Sequence, residues 1–145
     1  LLVVDASVAV KWFVNELGSD AALRLLGGPA GLIAPCLVIA ETARALQKAE
    51  AAGLTTSAAV DAGLRHAPSM FTELVPSQQL AAQAMDMARL LGHPVYDCFY
   101  LALAWRGDAM LITADYRFHT RASERGFLAR LHRLDQAFPG HSLQS

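Results

Sequence analysis

Short apolar runs rich in β-branched residues alternate along this chain with longer stretches of helical periodicity. Leu1 to Val4 reads as a buried strand that ends in an acid, Asp5. A helical stretch from Ala6 to Phe13 follows, with Ser7 near its start. Ser19-Asp20 has the chemistry of an N-cap for a helix through Leu26, which Gly27-Gly28-Pro29 stops. Leu32 to Ala34 is a second strand, and Pro35 opens a long helix from about Cys36 to Ala52 that ends at Gly53. Thr55 to His66 forms another helix, closed before Pro68. Phe71 to Val75 gives a third strand, and Pro76-Ser77 leads into a helix from Gln78 to Leu91 ended by Gly92. Pro94 opens the next helix, Val95 to Trp105, closed by Gly107. Ala109 to Thr113 is a fourth strand bounded by Asp115, Leu131 to Leu134 a fifth, and a loose tail follows Pro139.

Strands alternating with helices predict an α/β fold: a parallel sheet of four to five strands with helices on both faces. Ligands of such sheets bind outside the carboxyl ends of the strands. No internal repeat, low-complexity tract or linker interrupts the 145 residues, so one domain spanning 1–145 is expected.

Composition narrows the class. At 54% hydrophobic residues and 17% charged, the chain has far more apolar surface to bury than a disordered composition allows. The most apolar stretches, Leu32 to Ala40 and Val95 to Trp105, are broken by Pro35 and Asp97. Neither approaches the ~18 unbroken apolar residues of a membrane span. The opening residues show no basic, apolar, small-residue leader. Cys36 and Cys98, the two cysteines, lie in apolar stretches. They read as buried free thiols of a cytoplasmic protein, without the partners a disulfide scaffold or a zinc site needs.

Net charge is −1, but the charge is polarised. From Arg117 onward, five arginines face only Glu124 and Asp135, leaving that stretch basic and the remainder acidic. Arginine outnumbers lysine ten to two, which suits bidentate phosphate contacts and equally fits a GC-rich genome.

Four acids stand out by position. Asp5 follows the first strand, Glu41 lies six residues beyond the second, Asp97 sits in the first turn of the most apolar helix, and Asp115 follows the fourth strand. Carboxylates in apolar surroundings are costly unless paired, hydrogen-bonded or metal-bound. A divalent cation relieves the repulsion among four of them, and hard oxygen donors favour Mg²⁺ or Mn²⁺. Each acid also has an ordinary explanation. Asp5 and Asp115 suit helix caps, Asp97 suits a helix dipole, and Glu41 has Arg44 three residues on for an ion pair.

Four segments, in order, resemble the motifs of PIN-domain nucleases, and of the VapC toxins of toxin–antitoxin pairs in particular. They are Val3-Val-Asp5-Ala-Ser7-Val-Ala-Val-Lys-Trp-Phe13, Ala34-Pro-Cys-Leu-Val-Ile-Ala-Glu41-Thr-Ala-Arg-Ala-Leu46, Gly92-His-Pro-Val-Tyr-Asp97-Cys-Phe-Tyr-Leu-Ala-Leu-Ala104 and Leu111-Ile-Thr-Ala-Asp115-Tyr-Arg-Phe118. The resemblance implies a three-layer αβα sandwich and a metal-dependent endoribonuclease whose acidic quartet is Asp5, Glu41, Asp97 and Asp115. It implies Mg²⁺ as cofactor, with Mn²⁺ able to substitute, and supporting hydroxyls on Ser7 and Thr113. It also implies a homodimer and a small cognate antitoxin that silences the enzyme. Arg44 departs from the asparagine that many relatives carry there, which leaves the quartet intact and bears on substrate contact or site electrostatics.

Within that reading Asp5 and Asp97 are direct ligands, Asp115 completes the shell, and Glu41 binds a second metal or orients water. Arg117, two residues past Asp115, and Arg121 at i+4 are candidate contacts to the RNA backbone. The five histidines read as surface residues, with His119 available to phosphate. Trp12, Phe13 and the alanine-rich helices up to His66 offer apolar surface beyond what one small core needs, available to a second copy, although for any single residue a place in the core is the favoured reading. A dehalogenase-like phosphatase would need a second acid at position 7, which is Ser7, and a receiver domain would need an acidic pair where Asp5 stands alone. A non-catalytic PIN-like RNA-binding module is the remaining rival.

Overall fold

The computed structural model describes residues 1–137; the tail expected after Pro139, with His141, lies outside the described residues. Its elements in chain order are β1 (Leu2–Val4), α1 (Ala6–Ala9), α2 (Ser19–Gly27), β2 (Leu32–Pro35), α3 (Leu37–Ala51), α4 (Ser57–His66), β3 (Glu73–Val75), α5 (Ala81–Leu91), α6 (Val95–Arg106), β4 (Met110–Thr113), α7 (Tyr116–Glu124) and β5 (Leu131–Arg133). The five strands form one sheet in the order β3-β2-β1-β4-β5, with every pairing parallel. The expected α/β architecture, a parallel sheet flanked by helices, is what the chain adopts. Because β1 pairs with β2 on one side and β4 on the other, the strand order reverses at the β1–β4 boundary. A crevice for ligands opens at such a switch point.

The apolar runs explain the layers. Val3 and Val4 of β1 and Leu111 of β4 are fully buried in the central strands, as strands covered on both faces must be. Helix α6 packs against β1, β2 and β4. Its Cys98, Tyr100, Leu101, Ala102, Leu103 and Ala104 are all buried. A helix that is apolar all round belongs in the interior, and this one carries Asp97 in its first turn.

Several elements differ from the sequence expectation for identifiable reasons. The first helix is α-helical only to Ala9 and continues as a 3₁₀ turn over Val10–Trp12, where β-branched Val8 and Val10 crowd a regular helix. Ser19 does not cap α2. Gly18, at φ +90°, holds the cap position, while Ser19 Oγ donates to Val14 O and accepts from Glu16 N. The third strand is confined to Glu73–Val75, and the helix expected from Gln78 begins as a 3₁₀ turn before α5 starts at Ala81. Cys98 is buried as expected, but Cys36 is exposed. It stands at the N-cap position of α3, just past the buried end of β2, where the apolar run around it does not enclose it. Trp12 and Phe13 turn inward instead of forming a free apolar face. Trp12 Nε1 donates to Ala22 O and its ring meets Phe71, and Phe13 packs with Val10, Val14, Leu46 and Val60 in a second small core. No helix among the described residues is long and apolar enough to cross a membrane.

Candidate active site

The carboxyl ends of β1 and β4, adjacent in the sheet, each release an acid into the switch-point crevice. Val4 pairs with Ile112, so the next residues, Asp5 and Thr113, meet at the strand tips. Asp5 is only 3% exposed. It caps α1, its Oδ1 accepting from Val8 N at 3.3 Å and from Ser7 Oγ at 2.5 Å. Ser7 Oγ also lies 3.4 Å from Thr113 Oγ1 and accepts from Ala114 N. Asp115 caps α7 by accepting from Phe118 N at 3.1 Å, and its own N–H donates to Thr113 Oγ1. The ordinary capping role and the site role therefore coincide. The cap takes one carboxylate oxygen and fixes where the other points.

The other two acids are delivered by helices. Leu37 N donates to Ser77 Oγ and Cys36 N to Val75 O. These bonds tie the start of α3 to the end of β3 and so set the helix that carries Glu41. Glu41 does not pair with Arg44, which donates to Gln47 instead. Glu41 Oε1 accepts a 2.5 Å bond from the Tyr100 hydroxyl of α6. Asp97, one turn earlier on α6, has its Oδ2 2.6 Å from His93 Nε2. Tyr100 and His93 are functional neighbours that sequence reasoning missed. Nothing in the chain announces a contact between positions 41 and 100, but the i, i+4 spacing of His93 and Asp97 was a readable signal. The expectation that the histidines lie on the surface fails for His93, whose side chain is 16% exposed, and for His119, whose Nε2 is buried with no hydrogen-bond partner among the described residues.

Electrostatics binds the four acids into one site. Burial pushes the Asp5 carboxyl up from 3.8 to about 7; its hydroxyl partners oppose this and the charge on Asp97 adds to it. Burial also raises Glu41, with the Tyr100 bond opposing and Asp97 adding. Asp97 is raised by burial, eased by the His93 bond and raised again by Asp115. The Tyr100 hydroxyl, buried beside Glu41, Asp5 and Asp97, is pushed so far upward that it stays protonated and can only donate to Glu41. Asp97 is thus the electrical centre of the quartet. No lysine or arginine among the described residues forms a salt bridge with any of the four.

The donor set is all oxygen, uncompensated and partly desolvated, which is the chemistry a hard divalent cation satisfies. The side chains do not stand as a closed shell: among the described residues, no three His, Cys, Asp or Glu groups are gathered to hold a metal ion. They present a fit by charge and donor type that a cation would draw together.

The basic stretch divides. Arg130 is paired with Asp108. Arg133 is held by both Asp135 oxygens and lies 4.1 Å over the Tyr116 ring. Arg121 Nη1 donates to Leu91 O, whereas Arg117 is exposed in the first turn of α7 and forms no salt bridge among the described residues. An open groove of about 420 Å³ is lined at one end by Ser7 and Ala114, sequence neighbours of the acids, and elsewhere by the paired Lys11 and Glu16 and by Lys48. The sequence model of the family described as PIN domain matches residues 2–124. Comparison with curated proteins gives no match.

Proposed function

This chain belongs to the PIN domain family, whose members are generally nucleases, and from that premise we propose that it is a metal-dependent endoribonuclease. The observation that carries the reading is the uncompensated acidic quartet at the β1–β4 switch point. Each acid there has one oxygen engaged by the protein: Asp5 by Ser7, Glu41 by Tyr100, Asp97 by His93 and Asp115 by Phe118 N.

Asp5, Asp97 and Asp115 would hold Mg²⁺, or Mn²⁺ in its place, and Glu41 would hold a second ion or orient the attacking water. A bound divalent ion supplies an acidified water and neutralises charge on the phosphoryl oxygens. The chain's own residues supply the rest. Ser7 and Thr113 hold Asp5 in a site too dry for its bare carboxylate, so its charge is available when a cation enters. Arg117 at the rim and Lys48 along the groove neutralise backbone phosphates. Arg121 lies on the same helix as Arg117, and its remaining guanidinium nitrogens can share that task. Growth arrest as a toxin, silencing by a small antitoxin and pairing of two copies belong to the same proposal, and the ordered motifs support them.

The test uses purified protein stripped of metal and a panel of structured and single-stranded RNAs. Cleavage should require Mg²⁺ or Mn²⁺, stop with EDTA and vanish in Asp97→Asn. Undiminished cleavage by Asp97→Asn, or activity that survives exhaustive chelation, would sink the proposal. Binding without cleavage by the wild type would assign a non-catalytic RNA-binding module instead.

A further inference from the structure

We propose that His93 is the positioning residue of Asp97: its Nε2–H holds Oδ2 of that carboxylate so that only Oδ1 is offered to a divalent cation. The inference rests on the nuclease reading for its cation and on geometry for the rest.

The residue is fixed from every side. Gly92, at φ +60°, ends α5 in the left-handed turn that glycine takes without strain. The backbone N–H of His93 donates to Ala88 O at 3.3 Å. Arg121 Nη1 holds the preceding carbonyl, Leu91 O, at 3.2 Å. Pro94 follows, its ring pre-setting the entry into α6. The imidazole lies 5.0 Å from the ring of Phe118, which is fully buried, and the N–H of that same Phe118 donates to Asp115. One residue therefore touches the supports of two acids on different elements, through its ring on one side and its backbone N–H on the other. A turn this heavily fixed is more than a link between helices. It sets one ring nitrogen, Nε2, 2.6 Å from one carboxylate oxygen.

The bond has two consequences. It locks the Asp97 rotamer, and it withdraws one of two oxygens from coordination. A carboxylate restricted to one oxygen suits Mg²⁺, which is small and strictly octahedral. With both oxygens free, the carboxylate also suits Ca²⁺, which accepts bidentate ligation at longer distances. His93 would then set metal preference as well as affinity, and it does so as a donor in either charge state.

The experiment measures divalent-ion binding to RNA-free protein, by calorimetry for Mg²⁺ and Ca²⁺ and by electron paramagnetic resonance for Mn²⁺. Two variants separate donation from packing. His93→Gln keeps an N–H at the reach of Nε2, and His93→Leu keeps apolar contact with Phe118 but donates nothing. Loss of such an outer partner commonly weakens metal binding about 10–100-fold. The expected result is that loss in His93→Leu, with Ca²⁺ affected less than Mg²⁺, and near-wild-type binding in His93→Gln. Wild-type binding by His93→Leu overturns the proposal, and so does equal loss in both variants, because the ring's packing would then be what matters.

A second readout needs no metal. Nitrogen-15 spectra of the metal-free protein should show His93 carrying its proton on Nε2, with that state altered by Asp97→Asn. A ring protonated on Nδ1 alone overturns the assignment. If the wild type binds no divalent ion, the metal reading of the site fails by itself, and the ring spectrum still decides whether His93 holds Asp97.

Discussion

Replacing Asp5 with asparagine should stabilise the metal-free protein, and increasingly so as pH rises. Asp5 is 3% exposed, and burial lifts its carboxyl from 3.8 to about 7. The folded chain therefore binds a proton more tightly than the unfolded chain, so this group contributes stability at low pH that is lost as pH climbs from about 4 to about 7. The interval is about three pH units at roughly 1.4 kcal/mol each, which gives a ceiling of about 4 kcal/mol. Between pH 5 and pH 8 the gap between variant and wild type should widen by about 2–3 kcal/mol, or on the order of 10 °C in melting temperature for a domain of this size. Asparagine keeps an acceptor for Ser7 and Val8 N and turns an amide toward hydroxyls that can rotate to receive it. His119, which burial shifts downward, runs the other way, contributing stability as pH rises. It is present in both proteins and cancels in the difference. The assay is urea unfolding in EDTA from pH 5 to 8.5, repeated in saturating Mg²⁺. The cation binds only the ionised wild-type site and should close or invert the gap by mass action. A stability difference that stays flat with pH in EDTA would refute the claim that the buried carboxylate strains this fold.

Tyr100→Phe removes the one hydrogen bond to Glu41 Oε1 found among the described residues. It should lower turnover about tenfold and stability by about 1–2 kcal/mol; unchanged turnover would remove Glu41 positioning from the account. On catalytically dead Asp97→Asn protein, Arg117→Ala should flatten the log–log salt slope of single-stranded RNA binding by about 0.7. An unchanged slope would exclude Arg117 as a phosphate contact. A thiol reagent should label one cysteine, Cys36, in the native protein and a second, Cys98, only after unfolding. Rapid native labelling of both would contradict the burial of Cys98.

The parts of the site legible in the sequence are those that local rules determine. A β-branched run followed by an acid placed Asp5 and Asp115 at strand tips, and the uniformly apolar stretch around Asp97 marked the buried helix. The adjacency of those tips depends on strand order, which local pattern does not encode; the parallel β1–β4 pairing supplies it. The Glu41–Tyr100 bond joins positions far apart in the chain and arises only when α3 and α6 are placed together. Ser19 shows the limit of cap chemistry as a signal. Its hydroxyl found better partners in the preceding loop, and a left-handed glycine took the cap. Arg44 likewise donates to Gln47 and not to the nearby Glu41, an outcome that i, i+3 spacing alone does not decide.

The two outermost strands have a consequence for self-association. β3 and β5 are three residues each; their exposed positions are Glu73 and His132, and their half-exposed ones Leu74 and Arg133. Pro76 follows the first directly, and Arg133 is clamped by Asp135. Brief strand margins bearing charge make poor templates for added strands. Extension of the sheet from one molecule into the next is thereby blocked at both flanks, which protects an apolar chain from fibre-like stacking. Any pairing of two copies, as proposed above, would then have to use helical surfaces rather than an added strand.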